Sequence, residues 1–287
     1  MNNHQQLDDA AIRRNFARAA SQFDSADFVH TVTRDGLLAR LEAVVVDATE
    51  VLDLGCATGK ALPLLAKRFR RARVTGIDSS RAMLQRAKAG RRRFARTRLL
   101  QCDARALPFA DHSIDVVFAN QLLPWFDDLA MIAAEVRRVL RKEGLFIFST
   151  LGPDSLSELK AAWSTIDQLP HVHHFPDMHD VGDTMVRAGL KDPVLDVDRL
   201  EVTYTTSAAL FRDLTAAGAR NCLKERVAGL AGKQAFVRMT QELMAATRGA
   251  GLRFELELVY GHCWGSGTGF GGGPVRIDAA SIPIRRR

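Results

Sequence analysis

Between Glu50 and Thr150 the sequence alternates short apolar runs with stretches of helical periodicity. Five of the runs have the length of strands, and they are Glu50–Leu54, Arg73–Ile77, Thr97–Gln101, Ile114–Ala119 and Leu145–Thr150. Strands that alternate with helices pair in parallel, and helices then cover both faces of the sheet. This alternation therefore predicts a doubly wound α/β fold.

Helices and further strands are predicted on both sides of these runs. Helical spacing from Asp8 to Leu41, with a break near Asp24, predicts two entry helices. Later helices are predicted at Ala61–Arg68, Ser80–Ala89, Leu129–Leu140, Asp154–Leu169, Met178–Ala188, Ala208–Ala217, Asn221–Gly229 and Lys233–Arg248, and later strands at Val194–Tyr204 and Arg253–Trp264. We divide the chain into N-terminal covering helices (1–45), a ligand-binding core (46–152), and remaining core strands with a helical lid insertion (153–287).

Composition excludes several classes of protein. Hydrophobic residues make up 47% and charged residues 25% of the 287 residues, which is typical of a globular chain. No apolar run approaches the roughly 20 residues of a membrane span, and the polar Met1–Asp9 segment does not resemble a secretory signal. We expect a cytoplasmic protein without membrane association. Because the four cysteines are far apart and the histidines lack metal-ligand spacing, we expect neither disulfides nor a metal.

The basic residues are unevenly distributed. The net charge is +7, and arginines are concentrated at residues 91–98 and 285–287. Basic clusters favour an acidic partner. Nucleic acid, an acidic carrier protein and an ordinary solvated surface all remain compatible with this pattern.

Polar and glycine residues follow the predicted strands where a ligand would bind. Gly55 and Gly59 lie in a turn between the first strand and its helix, where backbone N–H groups can approach a ligand closely. A glycine turn alone is also compatible with an ordinary tight turn. Asp78 ends the second strand, where a carboxylate in such a fold accepts hydrogen bonds from ribose hydroxyls. Together these features predict a nucleoside ligand.

The third and fourth strands end in further polar residues. Asp103 follows the third strand, where its carboxylate is placed to accept a hydrogen bond from an adenine amino group or simply to cap a turn. Asn120 and Gln121 follow the fourth strand. Because ligands bind at the carboxyl edge of open parallel sheets, four strand ends are predicted to meet at one site.

In combination these segments resemble the class I S-adenosylmethionine-dependent methyltransferases. The resemblance is carried by Glu50 to Gly59, Gly76 to Asp78 with Met83 and Leu84, Asp103 to Phe109, Ser113 to Val117, and Glu135 to Gly144. It implies a Rossmann-like fold with a central, mostly parallel seven-stranded sheet, helices on both faces and a helical insertion near the C-terminal strands. The later motifs argue against a dinucleotide-dependent dehydrogenase, which shares the first loop.

The resemblance also implies S-adenosylmethionine as the cofactor and assigns residues to its parts. The methionine portion would lie at Asp53, Gly55 and Gly59, the ribose at Asp78, and the adenine at Asp103 and Ala104. The full set that we predict for cofactor binding is Asp53, Gly55, Ala57, Gly59, Asp78, Ser79, Met83, Asp103, Ala104 and Asn120. Two positions depart from the family pattern: Ala57 replaces the middle glycine of the loop, and Glu143 replaces a glycine of the usual Pro-Gly-Gly turn.

A narrower resemblance runs over nearly the whole chain, to the malonyl-acyl-carrier-protein O-methyltransferase family of biotin synthesis. It is carried by Ile12 to Ala20, Asn120 to Asp128, Phe148 to Gly152, Leu156 to Trp163, His171 to Phe175, Asp198 to Tyr204, Leu214 to Asn221 and Tyr260 to Trp264. This resemblance implies methylation of the free carboxylate of malonyl-acyl carrier protein, or of malonyl-coenzyme A, with no nucleic acid involved. Phe23 and Pro124 differ from the tyrosine and glutamine usual in that family.

The expected chemistry requires alignment more than a strong base, because a malonyl carboxylate is already an anionic nucleophile. A cationic or hydrogen-bonding group must hold it, and Lys160 and His173 are the predicted catalytic residues, with His171 and His174 as further candidates. We predict substrate contacts for Phe23, Gln121, Trp125 and Trp163.

Three other functions remain open. A small-molecule methyltransferase, for example one acting on a quinone ring, would use the same cofactor half. A cofactor-binding assembly factor of respiratory complex I would bind the cofactor without transferring a methyl group. An RNA-directed methyltransferase is less favoured because the sequence has no aromatic-rich RNA-binding module.

Overall fold

A computed structural model describes residues 6–90, 97–226, 233–246 and 251–267. Within these ranges the chain forms nine α-helices and seven strands. The helices are α1 (Asp9–Ala19), α2 (Phe28–Glu42), α3 (Leu62–Arg68), α4 (Arg81–Gly90), α5 (Leu129–Val139), α6 (Ser157–Ser164), α7 (Met178–Arg187), α8 (Ser207–Ala216) and α9 (Lys233–Ala246). The strands are β1 (Glu50–Leu54), β2 (Arg73–Asp78), β3 (Thr97–Gln101), β4 (Ile114–Asn120), β5 (Leu140–Leu151), β6 (Lys191–Tyr204) and β7 (Leu252–Trp264).

The seven strands form one sheet in the order β3-β2-β1-β4-β5-β7-β6. Strands β1 to β5 pair in parallel, whereas β7 pairs antiparallel with both β5 and β6. The order reverses at β1, so the ends of β1 and β4 flank the crevice where ligands bind in open α/β sheets. The predicted α/β fold with a mostly parallel seven-stranded sheet is confirmed.

Each face of the sheet has its own hydrophobic core. On one face, Leu52 and Phe146 pack with Ile132 of α5 and Met185 of α7. The core on the opposite face contains Val51, Val116 and Ile147 with Leu37 of α2 and Leu65 of α3. Burying each such side chain contributes roughly 1.5–3 kcal/mol. The alternation of strand side chains thus fixes α2 and α3 on one face and α5 and α7 on the other.

The helices between β6 and β7 form the predicted insertion. Leu210 of α8 and Leu243 of α9 are buried against Leu159 of α6 and Phe254 of β7. This third cluster lies outside the two main cores and joins the insertion to the end of the sheet.

The segment from Asn221 does not form the predicted helix over the residues that the structure describes, 221–226. Leu223 instead forms a bridge with Leu7, and the Asp8 N–H donates to the carbonyl of Cys222 at 2.7 Å. A hydrogen bond to the N-terminal segment occupies the backbone that a helix would use internally. The helix prediction was therefore wrong over residues 221–226, and its remainder lies outside the described residues.

Several element boundaries also differ from the prediction, and α6, for example, ends at Ser164 rather than Leu169. Helix α6 begins at Ser157 rather than Asp154, because the Leu156 N–H donates to the carbonyl of Glu255 at 3.1 Å and Leu156 has a positive φ of 58°. Strand β5 begins at Leu140, directly after α5, so the expected turn at Gly144 lies within the strand. Glu143 there has a φ of 63°, a conformation that glycine adopts more easily.

Some sequence features cannot be compared with the structure. Arginines 91, 92, 93 and 96 and the three C-terminal arginines lie outside the described residues, so the predicted basic cluster is described only at Arg98. Within the described ranges, no helix has both the length and the apolar character that crossing a lipid bilayer requires.

Candidate active site

The glycine loop after β1 brings its backbone to the carboxyl edge of the sheet. Gly55 has a φ of 78°, and a Cβ on it would lie 2.7 Å from Cδ1 of Leu122. Gly59 has a φ of 80°, and its Cβ would lie 3.1 Å from the Cβ of Ala87 in α4. Ala57, between them, also has a positive φ, of 46°. The loop therefore depends on glycine at its two ends, for backbone conformation and for close packing.

Two carboxylates lie beneath this loop, of which Asp78 is half-buried and Asp53 is buried. Asp78 accepts hydrogen bonds from the N–H groups of Ala57 at 2.9 Å and Ser80 at 2.8 Å, so it holds both the loop and the start of α4. Asp53 is 2% exposed, and its Oδ2 has no hydrogen-bond partner among the described residues. Burial, with the nearby Asp78 charge, raises the pKa of Asp53 to about 8. A buried carboxylate without a partner is costly, and a cationic ligand would relieve that cost.

Other predicted cofactor residues border the same edge. Asp103 lies beside Ala104 and is held by the Arg105 guanidinium, whose Nη2 donates to its Oδ2 at 2.7 Å. This hydrogen bond holds the pKa of Asp103 below its usual range. Ser79 lines the same cavity, whereas Met83 is fully buried behind it in a cluster with Phe23. Gly59 and Met83 therefore support the cavity wall from behind.

The end of β4 connects the sheet to the N-terminal helices. The Asn120 side chain donates from Nδ2 to the carbonyl of His30 at 2.8 Å and accepts from Oγ of Ser149 at 2.9 Å. Gln121 has a positive φ of 52°, and its side chain donates from Nε2 to the carbonyl of Thr150 at 3.3 Å. Both side chains are thus fixed between the strand ends and α2.

The predicted cofactor residues enclose a cavity of about 100 Å³ with a smaller extension of about 40 Å³. The predicted residues that line the cavity or its extension are Asp53, Gly55, Ala57, Asp78, Ser79, Asp103, Ala104 and Asn120. An adenosine group with a charged amino-acid tail suits this arrangement, because acidic side chains from three strand ends face one space. The orphaned Asp53 carboxylate marks the end that suits a cationic tail.

A second cavity, of about 170 Å³, lies next to the first. Its walls are mostly apolar and come from α2, α8, β6, β7 and residues 171–175; they include Phe28, Val29, Leu156, Phe175, Val202, Leu210, Leu214 and Phe254. His30, Gln121 and Trp125 line both cavities. We call the two spaces the cofactor cavity and the acceptor cavity. They meet at these three side chains.

Trp125 is held between two aromatic rings at this junction. The ring centroid of Phe16 lies 4.9 Å from that of Trp125, and the centroid of His173 lies 5.4 Å from it; both contacts are edge-to-face. Phe23 also borders the cofactor cavity and is 3% exposed. Of the four predicted substrate residues, the structure thus brings Phe23, Gln121 and Trp125 together.

Trp163 and Lys160 lie in a neighbouring groove instead. Trp163 stacks on His171 with centroids 3.6 Å apart, and the His171 Nε2 lies 2.8 Å from Oδ1 of Asp167. The Lys160 ammonium donates to the carbonyl of Pro153 at 3.0 Å, and burial lowers its pKa. Lys160, Trp163 and His173 line this outer groove, and of the three His173 also lines the acceptor cavity.

His173 has both ring nitrogens in hydrogen bonds to backbone groups. Its Nε2 accepts from the N–H of Cys222 at 3.2 Å, and the ring also bonds to the backbone of Pro124. Burial lowers its pKa to about 4. A neutral imidazole with one acceptor and one donor nitrogen satisfies both contacts. His173 therefore ties the residues 221–223 to the turn that carries Trp125.

Several lining residues were not predicted from the sequence. Helix α1 contributes Asp9, Ile12, Arg13 and Phe16 to the cofactor cavity. His30 and Arg220 line the acceptor cavity. We expected the N-terminal helices to cover the site, but the sequence did not predict which side chains of α1 line the cavity. His30 lies outside the motifs that carry the family resemblance, whereas Arg220 lies within one of them, Leu214 to Asn221, without a predicted role.

Comparisons with known proteins agree with the geometry. Residues 52–148 match a family model described as a methyltransferase domain. The malonyl-[acyl-carrier protein] O-methyltransferase of Halorhodospira halophila is 39% identical, over 99% of this chain and 98% of its own length. The enzyme of the same name from a Methylovorus species is 39% identical over 90% of this chain and 89% of its own. The solved structure of the YcgJ protein of Bacillus subtilis shares the fold, with a TM-score of 0.58 at 17% identity over 80% of this chain and 98% of its own.

Proposed function

The chain belongs to the malonyl-[acyl-carrier protein] O-methyltransferase family, and we propose that it methylates the free carboxylate of malonyl-acyl carrier protein in biotin synthesis. It is an S-adenosylmethionine-dependent methyltransferase. One observation carries the proposal: the cofactor cavity, which acidic side chains border, and the mostly apolar acceptor cavity share His30, Gln121 and Trp125 as walls. A donor and an acceptor bound in these cavities would react at that junction.

The reaction is a single displacement. S-adenosylmethionine supplies an electrophilic methyl group on a sulfonium when it is bound. A carboxylate oxygen of the malonyl group forms the new C–O bond, the C–S bond breaks, and its electron pair stays on sulfur. The products are the methyl ester and S-adenosylhomocysteine, and no proton has to be removed. The enzyme needs to align the two groups and to exclude water.

The side chains around the junction are suited to alignment. The Trp125 indole is fixed by Phe16 and His173 and forms a rigid wall between the cavities. On the cofactor side Asp53 is buried and Asp78 is half-buried, and their acidic groups would stabilise a positive charge there. The acceptor side is mostly apolar, so a carboxylate there loses much of its hydration shell.

The roles of the two predicted catalytic residues remain proposals. For His173, the contacts support a positioning role, because the ring bonds to the backbones of Cys222 and Pro124 and packs on Trp125. Lys160 lines the outer groove and not the acceptor cavity, so a direct contact with the reacting carboxylate would require its side chain to move. Trp163, in the same groove, is proposed to contact the outer part of the acyl arm.

The carrier is proposed from the family and from the shape of the acceptor cavity. A carrier protein presents its acyl group on a long thioester arm, and an apolar cavity that ends at exposed residues such as Arg220 suits such an arm. Malonyl-coenzyme A presents the same arm and is a second possible acceptor. We propose that the reaction takes place in the cytoplasm, without nucleic acid or membrane, and that basic residues at 91–98 meet the acidic carrier.

Radiolabelled methyl transfer tests this function. The purified protein is incubated with methyl-labelled S-adenosylmethionine and malonyl-acyl carrier protein, and acetyl-acyl carrier protein is the control without a free carboxylate. We expect base-labile label on the malonyl form only. Cofactor binding without transfer to either carrier would contradict the proposal and favour the quinone-type enzyme or the assembly factor. Those two are separated by adding quinone-containing vesicles as the acceptor.

A further inference from the structure

His30 lines all three cavities of the site: the cofactor cavity, its extension and the acceptor cavity. It stands in the first turn of α2, where its carbonyl accepts the 2.8 Å hydrogen bond from Asn120. Its ring packs on Phe23 with centroids 4.9 Å apart. The helix and the end of β4 therefore hold this imidazole at the junction of donor and acceptor.

The imidazole of His30 has hydrogen-bonding capacity that the protein does not use. Its Nδ1 is buried and has no partner among the described residues. Burial, with the Arg34 charge one turn along the same helix, lowers the pKa of His30 to about 4. The ring is therefore neutral at physiological pH, with one N–H donor and one acceptor nitrogen. A buried polar atom without a partner is costly, so its persistence here indicates a ligand contact.

Four other polar side chains around the acceptor cavity are less suited to this contact. His171 is engaged by Asp167 at 2.8 Å, and His173 bonds to backbone groups on both sides. Arg220 makes no side-chain hydrogen bond or ion pair with the described residues, but it is exposed and is absent from the cofactor cavity walls. Gln121, the polar neighbour of His30 at the junction, already donates to the carbonyl of Thr150.

We propose that His30 is an acceptor-binding residue, whose imidazole N–H donates a hydrogen bond to the carboxylate that receives the methyl group. This proposal rests on the proposed function and specifies how the site selects a carboxylate. One N–H bonded to one carboxylate oxygen fixes the orientation of the group and leaves the other oxygen directed at the donor. A neutral donor holds the carboxylate without the full ion pair that would reduce its nucleophilicity.

The test compares three substitutions at this position. His30→Leu removes the donor and keeps much of the volume, whereas His30→Asn and His30→Gln place an amide N–H near Nδ1 or near Nε2. We expect H30L to lower kcat/KM for malonyl-acyl carrier protein by about 10- to 100-fold, the loss of one hydrogen bond to a charged group. One of the two amide variants should restore most of the lost kcat/KM, and which variant does so identifies the donating nitrogen.

Binding measurements separate acceptor recognition from folding and from cofactor binding. Calorimetry on the protein loaded with S-adenosylhomocysteine compares malonyl-pantetheine with acetyl-pantetheine. The wild type should prefer the malonyl probe, and H30L should lose that preference while its affinity for S-adenosylhomocysteine changes less than about threefold. Val32→Ala, at a half-exposed position of the same helix outside the cavity walls, is the matched control and should behave as the wild type.

Three results would overturn the proposal. One is an unchanged kcat/KM and probe preference in H30L, and another is an equal loss in all three His30 variants, which would indicate a role in shape alone. The third is loss of malonyl preference in Arg220→Gln but not in H30L, which would place the carboxylate at Arg220. Absence of methyl transfer by the wild type would instead contradict the proposed function, and the two failures are therefore distinguishable.

Discussion

The two cavities are built in different ways. In the cofactor cavity, charged side chains are held by groups nearby in the sequence: Asp78 binds the N–H of Ser80, and Asp103 binds Arg105. In the acceptor cavity, apolar side chains from distant segments meet, such as Val29 of α2, Leu210 of α8 and Phe254 of β7. The first cavity depends on a few specific polar contacts, and the second depends on packing.

Because the two cavities are built differently, we expect them to respond differently to substitution. Removing one carboxylate from the cofactor cavity removes an interaction that other residues cannot replace, so ligand affinity should fall while the fold persists. Removing one apolar side chain from the acceptor cavity leaves many neighbours in place, so stability should fall more than ligand affinity. The following predictions test that contrast, from the largest expected effect to the smallest.

The largest effect is expected for Asp78→Ala. This carboxylate holds the N–H groups of Ala57 and Ser80 and faces the cofactor cavity, so its loss removes both the ligand contact and the loop support. We expect the dissociation constant for S-adenosylmethionine to rise at least about 100-fold, measured by calorimetry. Asp183→Ala, on the exposed surface of α7, is the control. Equal affinities in the two variants would refute the contrast on the cofactor side.

A large effect on stability is expected for Leu210→Ala. Leu210 is 2% exposed and packs in the cluster that joins the insertion to the sheet. We expect the free energy of unfolding to fall by about 2–4 kcal/mol in urea denaturation, with little change in cofactor affinity. A drop in cofactor affinity as large as that of Asp78→Ala would show that the two cavities do not respond separately.

The pH dependence of stability is expected to report Asp53. Its folded-state pKa of about 8 lies above the ordinary aspartate value of 3.8, so folding takes up a proton at pH values between the two. The stability associated with a protonated Asp53 is fully present below pH 4 and is lost as the pH rises to about 8. Asp53→Asn should therefore be more stable than the wild type by an amount that grows over this window to about 1–3 kcal/mol.

Urea unfolding of both proteins at pH 5, 7 and 9, without ligand, measures this difference. His30 and His173 act in the opposite direction, because their lowered pKa values make the protein less stable as the pH falls from about 6.5 to 4. Both histidines are present in the two proteins, so their contributions cancel in the comparison. A difference that stays constant with pH would contradict a protonated Asp53. Asp53→Asn should also bind S-adenosylmethionine more weakly than the wild type, because it lacks the carboxylate that faces a cationic ligand.

The smallest effect is expected for Ala57→Gly. The positive φ of 46° at Ala57 is unfavourable for a side chain with a Cβ, and glycine relieves this at some cost in chain entropy. We expect stability to change by less than about 1 kcal/mol and cofactor affinity to rise by less than about threefold. Gly55→Ala is the opposite substitution, and it should lose affinity because its Cβ would contact Leu122. Thermal melting with and without cofactor measures both.

The sequence predicted the fold and much of the cofactor cavity. The sequence predicted β1 to β4 and the second half of β5 because these are short apolar runs, and the ends of β1, β2 and β4 carry Asp53, Asp78 and Asn120. The segment after Asn221 was mispredicted, because its backbone bonds to residues more than 200 positions earlier in the chain. Local periodicity contains no information on such a partner.

The sequence by itself determined which residues share a strand or a helix face, since periodicity and turn chemistry are local properties. It also showed where acidic side chains follow strands, and so the end of the sheet at which we propose that the cofactor binds. Only the tertiary structure decided that His30, from an N-terminal helix, stands between the cofactor cavity and the acceptor cavity. The reason is physical: the position of α2 over the sheet edge is fixed by packing of Leu37 and Leu41 and by the Asn120 hydrogen bond, contacts between residues far apart in the chain.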